Sequence, residues 1–304
     1  MRVFRLVLLL NFILLNVLAF EASAQSRRIY KGQYHKGKSQ PSITLKKISK
    51  NELITVFGSL GYATYYGDLC EGFDCFKFRP QIGVGGILRT SLLGSRFNIR
   101  GDVRFFRLYS DDYYKYRNLN FRSSNWEFIV SGQFDFYPYA KMMRRRPKIN
   151  PYIYAGIGVV TFDPWGQMPN GKWHQLRPLE TEHTKYGNVS FLYTAGFGLK
   201  FKYSYRWNFM VEGGYRYTMT DHLDDVSTLY YPNASSFDNG ISAAMSNKST
   251  NFPYNGSDAN TPQDYRGNPK NNDGYFIFSA GITYTFTKNH KPKFKGNQQL
   301  LRKN

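Results

Sequence analysis

From residue 96 to 105 the chain alternates strictly. Arg96, Asn98, Arg100, Asp102 and Arg104 occupy every second position, with Phe97, Ile99, Val103 and Phe105 between them. Successive side chains of a β-strand point to opposite faces, so this segment is a ribbon with one charged face and one apolar face. A helix would mix the two sets around its circumference. A sheet built from such ribbons needs an apolar surrounding on one side and an enclosed polar space on the other, and that restricts the folds open to the chain.

The period recurs along the sequence. In residues 52–66, Ile54, Val56, Leu60, Tyr62 and Tyr66 oppose Thr55, Ser59, Gly61 and Ala63. In 78–90, Ile82, Val84 and Leu88 oppose Arg79, Gln81, Gly83 and Arg89. In 126–138, Trp126, Phe128, Val130, Phe134 and Phe136 oppose Glu127, Ser131, Gln133 and Asp135. The segment 151–162 is ambiguous, because both of its faces are apolar or glycine. In 189–202, Phe191, Tyr193, Phe197 and Leu199 oppose Ser190, Thr194, Gly196 and Lys200; in 207–217, Phe209, Val211 and Tyr215 oppose Asn208, Glu212 and Arg216. The last, 276–286, sets Phe278, Ile282 and Tyr284 against Ser279, Gly281 and Thr283. These lengths match or exceed the roughly 9–11 residues that a tilted strand needs to cross a bilayer. The expected fold is therefore all-β: a transmembrane antiparallel barrel of about eight strands with long extracellular loops.

A soluble sandwich or lipocalin-like barrel is the alternative. It would turn Arg96, Arg100 and Arg104 to water and pack the apolar faces inside. The chain has 25 Phe, 25 Tyr and 4 Trp, and about eight strands enclose room only for ordinary side-chain filling. So many rings would overfill that space, whereas facing lipid they need no such room.

The beginning of the chain reads as an export signal. Arg2 and Arg5 precede an apolar run over residues 6–20, followed by Ala22-Ser23-Ala24, with cleavage expected between Ala24 and Gln25. Gln25 is not the Cys of a lipoprotein. The expected organisation is a signal peptide over 1–24, a basic periplasmic segment over 25–50, the barrel over 51–287 and a basic periplasmic tail over 288–304. The formal net charge is +20; Arg2, Arg5 and Glu21 together account for +1, so +19 remains after cleavage. Such a charge raises nucleic acid as a partner. The export signal argues against it, and so does the gathering of cations in the two tails and in Arg144, Arg145, Arg146 and Lys148.

An even number of strands puts both termini on one side, the periplasmic side in this class. The connections near 91–95, 140–150 and 204–206 then fall inside, and those at 67–77, 109–125, 163–187 and 220–273 fall outside. Ser279, Gly281, Tyr284 and Phe286 match the spacing of the closing-strand signal read by barrel-insertion machinery.

Little in the sequence suggests catalysis. Arg79, Arg100, Arg104 and Arg216, together with Arg89 and Lys200, have Asp102, Glu127, Asp135 and Glu212 as counter-charges in the lumen, because enclosed charges are costly unless paired. Such a network serves structure or, alternatively, proton or ion handling. Cys70 and Cys75, in the first outer loop of an exported chain, suggest a local disulfide, with two free thiols as the alternative. Asp221, Asp224 and Asp225 suit loop-ordering hydrogen bonds or, less simply, Ca²⁺. The five histidines are scattered and none lies in an HExxH pattern. No catalytic, cofactor or metal residues are expected.

Four stretches carry a family resemblance. They are Tyr65-Tyr66-Gly67-Asp68-Leu69, Arg117-Asn118-Leu119-Asn120-Phe121-Arg122-Ser123, the run from Pro151 to Glu182, and Gly214 to Tyr230. Together they resemble the PorG family of the type IX secretion system. The likeness spans most of residues 52–286 and fails over both tails and over 232–272. It also departs at His183, where Gly is expected. The resemblance implies a non-enzymatic outer-membrane barrel associated with a periplasmic ring, built from a lipoprotein and its partner. It further implies that the outer loops form a packed cap. Arg144–Arg146 would face that ring or, alternatively, anionic lipid headgroups. Two other classes remain open. One is a small lipid-modifying enzyme using His222, Asp221 and Ser227; the other is a passive structural barrel.

Overall fold

The computed structural model describes residues 54–286, apart from 91, 114–116, 139–146, 205, 230–231 and 250–264. Ala24, Gln25, both basic terminal segments and Arg144–Arg146 lie outside the described residues. Eight long strands form the wall. They are β1 (Ile54–Tyr66), β2 (Arg79–Arg89), β3 (Phe97–Asp111), β4 (Asn120–Asp135), β5 (Ile149–Thr161), β8 (Val189–Lys202), β9 (Trp207–Thr218) and β10 (Gly274–Thr285). Between β5 and β8 a short hairpin, β6 (Trp165–Gln167) and β7 (Trp173–Gln175), sits above the wall, and one helix, α1 (Gly240–Ser246), lies in the last long connection.

Each wall strand pairs antiparallel with its neighbour, in the circuit β1–β2–β3–β4–β5–β8–β9–β10, and β10 returns to β1 with Thr55 opposite Thr285. Among the described residues the eight-stranded wall thus closes on itself, which is the requirement for strands in lipid, where an unpaired backbone group has no water to bond. No described helix is long and apolar enough to cross a membrane.

The alternation divides the wall as the sequence pattern requires. Outside, Leu60, Val84, Val130, Ile157, Phe191 and Phe197 are largely exposed, Phe191 by 68% and Phe197 by 63%. Inside, Arg100, Glu127, Gln133 and Arg216 are almost wholly buried. Apolar cladding around a charged, filled interior identifies a membrane-spanning barrel of the outer-membrane class.

The strand β5 resolves its ambiguity through its partner. Tyr152 and Tyr154 turn inward opposite Gly198 and Gly196, and a Cβ on either glycine would collide with the facing tyrosine ring. The glycines of β8 therefore create the space that lets two tyrosines into a narrow lumen. Gly83 does the same for the stem of Arg104.

The two ends differ. At one, short connections join β2 to β3 and β8 to β9, and the described chain begins and ends there. At the other lie the connections 67–78, 112–119, 162–188 and 219–273. The second of these outer connections is shorter than the alternation alone suggests. β3 and β4 continue as a paired ribbon to Asp111 opposite Asn120, beyond the last β2–β3 pair at Gln81 and Phe106. This ribbon stands clear of β2 at the loop end.

Candidate functional site

The lumen gathers Arg100, Arg104 and Arg216 with Asp102, Glu127 and Glu212 in one contact network. Glu212 accepts from Arg100 Nη1 at 2.7 Å and Nη2 at 2.9 Å, from Arg104 Nη2 at 2.7 Å and from the Tyr152 hydroxyl at 2.7 Å. Asp102 accepts from Arg100 Nε at 2.9 Å and from Arg104 Nη2 at 3.1 Å. Glu127 lies 3.3 Å from Arg104 Nε and 3.5 Å from Arg216 Nη2, and accepts from Tyr275 at 2.8 Å. Opposite charges therefore balance inside a wall that keeps water out, which is how such charges are tolerated.

Asp135 belongs to a second group at the short-turn end, where Lys200 and Asn98 donate to it at 2.9 and 2.8 Å. Arg79 does not enter the lumen. It begins β2 at the loop end, where its guanidinium lies 4.3 Å over the ring of Tyr109 and is exposed. Parity alone places it inside; at that height β2 has left the ladder it shares with β3, and the side chain swings outward.

Above the charge layer the filling becomes apolar. Tyr65, Phe106, Leu108, Phe121, Ile129, Leu192 and Ile277 form a core continuous with Leu69, Leu223 and Val226 from the loops. The loops close over this core as a bonded cap. Glu182 accepts from the backbone N–H groups of Ser227 and Thr228 at 3.0 and 2.9 Å and pairs with Arg266. Arg117 donates to the carbonyl oxygens of Arg266 at 2.6 Å and Asp68 at 2.8 Å. The hydroxyl of Tyr65 sits between Asp224 at 2.6 Å and Asp273 at 2.5 Å. Thr181 and Tyr186 both donate to Asp225. All four outer connections are thereby tied together.

Burial sets the protonation of the cap. It pushes Asp273 up to about 8, with Asp68 nearby adding to the effect. It pushes Asp225 up to about 7 against the opposing hydrogen bonds from Thr181 and Tyr186. Asp224 rises for the same reason, and Asp273 beside it adds to the rise. One hydroxyl proton cannot serve both Asp224 and Asp273, so a shared proton on that pair is the physical counterpart of the raised values. Asp224 and Asp225 thus order the cap through hydrogen bonds, and burial pushes Asp221 beside them up to about 8. No grouping of three or more metal-ligating side chains suited to an ion occurs among the described residues.

Cys70 and Cys75 are joined in a disulfide that closes the turn of the first outer connection. Of the closing-strand residues, Ser279 points into the lumen 3.3 Å from Glu212, Gly281 faces inward, and Tyr284 and Phe286 pack edge to face outside.

The candidate enzyme residues do not assemble. The imidazole of His222 stacks on Tyr186 at 4.6 Å and makes no hydrogen bond with Asp221 or Ser227, and burial lowers its pKa. A different pair comes together: His183 Nε2 lies 2.7 Å from Ser236 Oγ. That hydroxyl donates its proton to the Asn233 carbonyl oxygen, so the imidazole is the donor in the pair and not a base. His183 also has φ 56°, a left-handed conformation that glycine adopts most readily. The one departure in its motif thus falls where backbone geometry favours the expected residue.

No model of a known protein family matches the chain, and no curated protein matches it either. Solved structures similar to it include Neisserial surface protein A, at 12% identity and a TM-score of 0.39, covering 77% of this chain and 97% of that one. A major outer-membrane protein from Thermus thermophilus is 11% identical at a TM-score of 0.37, covering 77% and 99%. The outer-membrane enzyme PagL is 13% identical at a TM-score of 0.32, covering 76% and 98%. The barrel assignment rests on this chain's own closed strand pairing and apolar exterior.

Proposed function

We propose that the chain is a non-enzymatic outer-membrane barrel that serves the type IX protein secretion system, its loop end facing outward and its periplasmic end facing the system's ring. The observation that supports this most is where the PorG-like runs lie. Asp68 from the first, Arg117 from the second, Thr181 and Glu182 from the third, and Asp224 and Asp225 from the fourth are bonded to one another or to common partners in the cap. Runs far apart in sequence that build one closed surface behave as a unit. A lumen filled by Arg100, Arg104, Glu127 and Glu212 suits an anchor or docking element better than a channel.

The partners follow from the resemblance: the ring lipoprotein and its companion protein, with Arg144–Arg146 and the basic tails as the periplasmic contact. Membrane lipid and the barrel-insertion machinery complete the set. The test is affinity purification of a tagged full-length chain after crosslinking in cells. Recovery of the ring proteins, weakened when Arg144, Arg145 and Arg146 are changed together to Glu, supports the reading. Normal barrel levels with no ring protein recovered, and unaltered secretion on deletion, would overturn it.

A further inference from the structure

The ribbon that β3 and β4 form above β2 carries an arrangement that neither the lumen nor the cap explains. Outward-facing positions on these strands change character abruptly. Val103, Phe105, Phe128 and Trp126 are apolar or aromatic, and Phe105 and Trp126 pack at 5.1 Å between ring centroids. The next outward positions toward the loop end are Arg107, opposite Ser124, and Arg122, opposite Tyr109. Arg79 projects beside them from the start of β2. The three arginines line a groove of about 670 Å³ walled by Tyr109, Trp165 and Trp173.

All three are exposed, and none forms an ion pair among the described residues. The two nearby carboxylates are already engaged. Asp163 accepts from Trp165 Nε1 at 3.1 Å and from Gln175 Nε2 at 2.7 Å, and lies 3.8 Å from Arg177. Asp111 accepts from Tyr109 and lies 3.9 Å from Lys77. The guanidinium of Arg79 lies over Tyr109 at 4.3 Å and that of Arg122 over Trp173 at 4.1 Å. Stacking uses the faces of these planar groups and leaves their N–H edges available to an acceptor. Diagonal neighbours across a strand pair lie about 7–8 Å apart, so Arg107 and Arg122 repel unless an anion lies between them. Guanidinium edges bind phosphate in bidentate fashion.

Height identifies the occupant. The groove begins one outward position beyond the aromatic rim, the level at which Trp and Tyr mark the boundary between lipid tails and headgroups. We infer that this groove is a binding site for the phosphate of a membrane lipid headgroup, with Arg107 and Arg122 as its principal donors and Arg79 closing its β2 side. Lipid tails would then run down the wall over Phe105, Trp126 and Ile82.

The test uses the full-length barrel in nanodiscs, with lipid in both leaflets so that the outcome is independent of which end faces outward. Bound lipid is read by native mass spectrometry in competition between bisphosphorylated lipid A and its dephosphorylated form. The wild type should retain the phosphorylated lipid at least about tenfold more strongly, as bidentate charge-assisted bonds imply. Arg107→Gln combined with Arg122→Gln should abolish that preference, and Arg→Lys at both positions should keep part of it. Folding of each variant is checked by the gel-mobility shift of the intact barrel on heating, and where the double Gln variant does not fold, Arg107→Gln and Arg122→Gln are read singly, each expected to lower the preference at least about threefold. Equal retention of the two lipids by the wild type, an unchanged preference in the double Gln variant, or full displacement by millimolar inorganic phosphate would overturn the inference.

Discussion

Replacing Glu212 with Gln removes one negative charge from the centre of the lumen while keeping the side chain's shape. Glu212 is the hub there, accepting from Arg100 twice, from Arg104 once and from Tyr152. Its loss leaves Arg100, Arg104 and Arg216 facing only Asp102 and Glu127. At about 2.8 Å, and at an effective dielectric constant of about 20, one such contact is worth roughly 6 kcal/mol before the cost of desolvation. Removing one partner of a buried pair costs about 3–5 kcal/mol once that cost is included, and we expect this range for Glu212→Gln. The assay is reversible urea unfolding in phospholipid vesicles, followed by tryptophan fluorescence. Glu180→Gln is the control, since Glu180 pairs with a Lys185 side chain that is 84% exposed; it should cost under about 1 kcal/mol. A loss under about 1 kcal/mol for Glu212→Gln, equal to the control, would refute the view that this network holds the barrel together.

Other outcomes follow from the same geometry. Val130→Arg places a cation on the lipid face and should cost about 2–4 kcal/mol near mid-membrane, with heat-modifiability lost at lower temperature than in the wild type. The cap should loosen as pH rises. Asp225 and Asp273 hold protons more tightly when folded, so their contribution is complete below the ordinary carboxylate value of 3.8 and is lost as pH climbs through about 7 and about 8. A tenfold difference in proton affinity is worth about 1.4 kcal/mol, and hydrogen exchange of residues 219–229, corrected for its intrinsic pH dependence, should rise between about pH 4 and 8 and level off above it; a flat profile would contradict the assignment. Changing Cys70 and Cys75 together to Ser removes the closure of a short loop, worth about 2 kcal/mol in the chain-entropy picture, and should increase proteolysis of the first outer connection without altering barrel insertion.

The wall is legible in the sequence because a membrane barrel writes its fold as a period of two, and lipid on one side with packed charge on the other leaves little room for exceptions. The pairing of Arg100 and Arg104 with Glu212 and Glu127 is legible as composition, since enclosed charges need partners, although the choice of partners is a matter of register and appears only when the sheet closes. Parity misplaces Arg79 because it assumes an intact ladder, and β2 has no β3 partner at that height. Tyr152 and Tyr154 are hidden because their inward turn depends on Gly198 and Gly196, which belong to a strand far along the chain. The groove of Arg107 and Arg122 escapes for a related reason. The pattern that marks a lipid-facing strand ends at the headgroup boundary, and beyond it an outward arginine reads as loop. Where the strand continues past that boundary, as β3 and β4 do, outward cations are held by the sheet at fixed spacing instead of being scattered on a flexible connection. An organised row of this kind suits a fixed anion better than bulk counter-ions. The same strand extension that confounds the loop boundary is therefore the physical basis for expecting a lipid phosphate there.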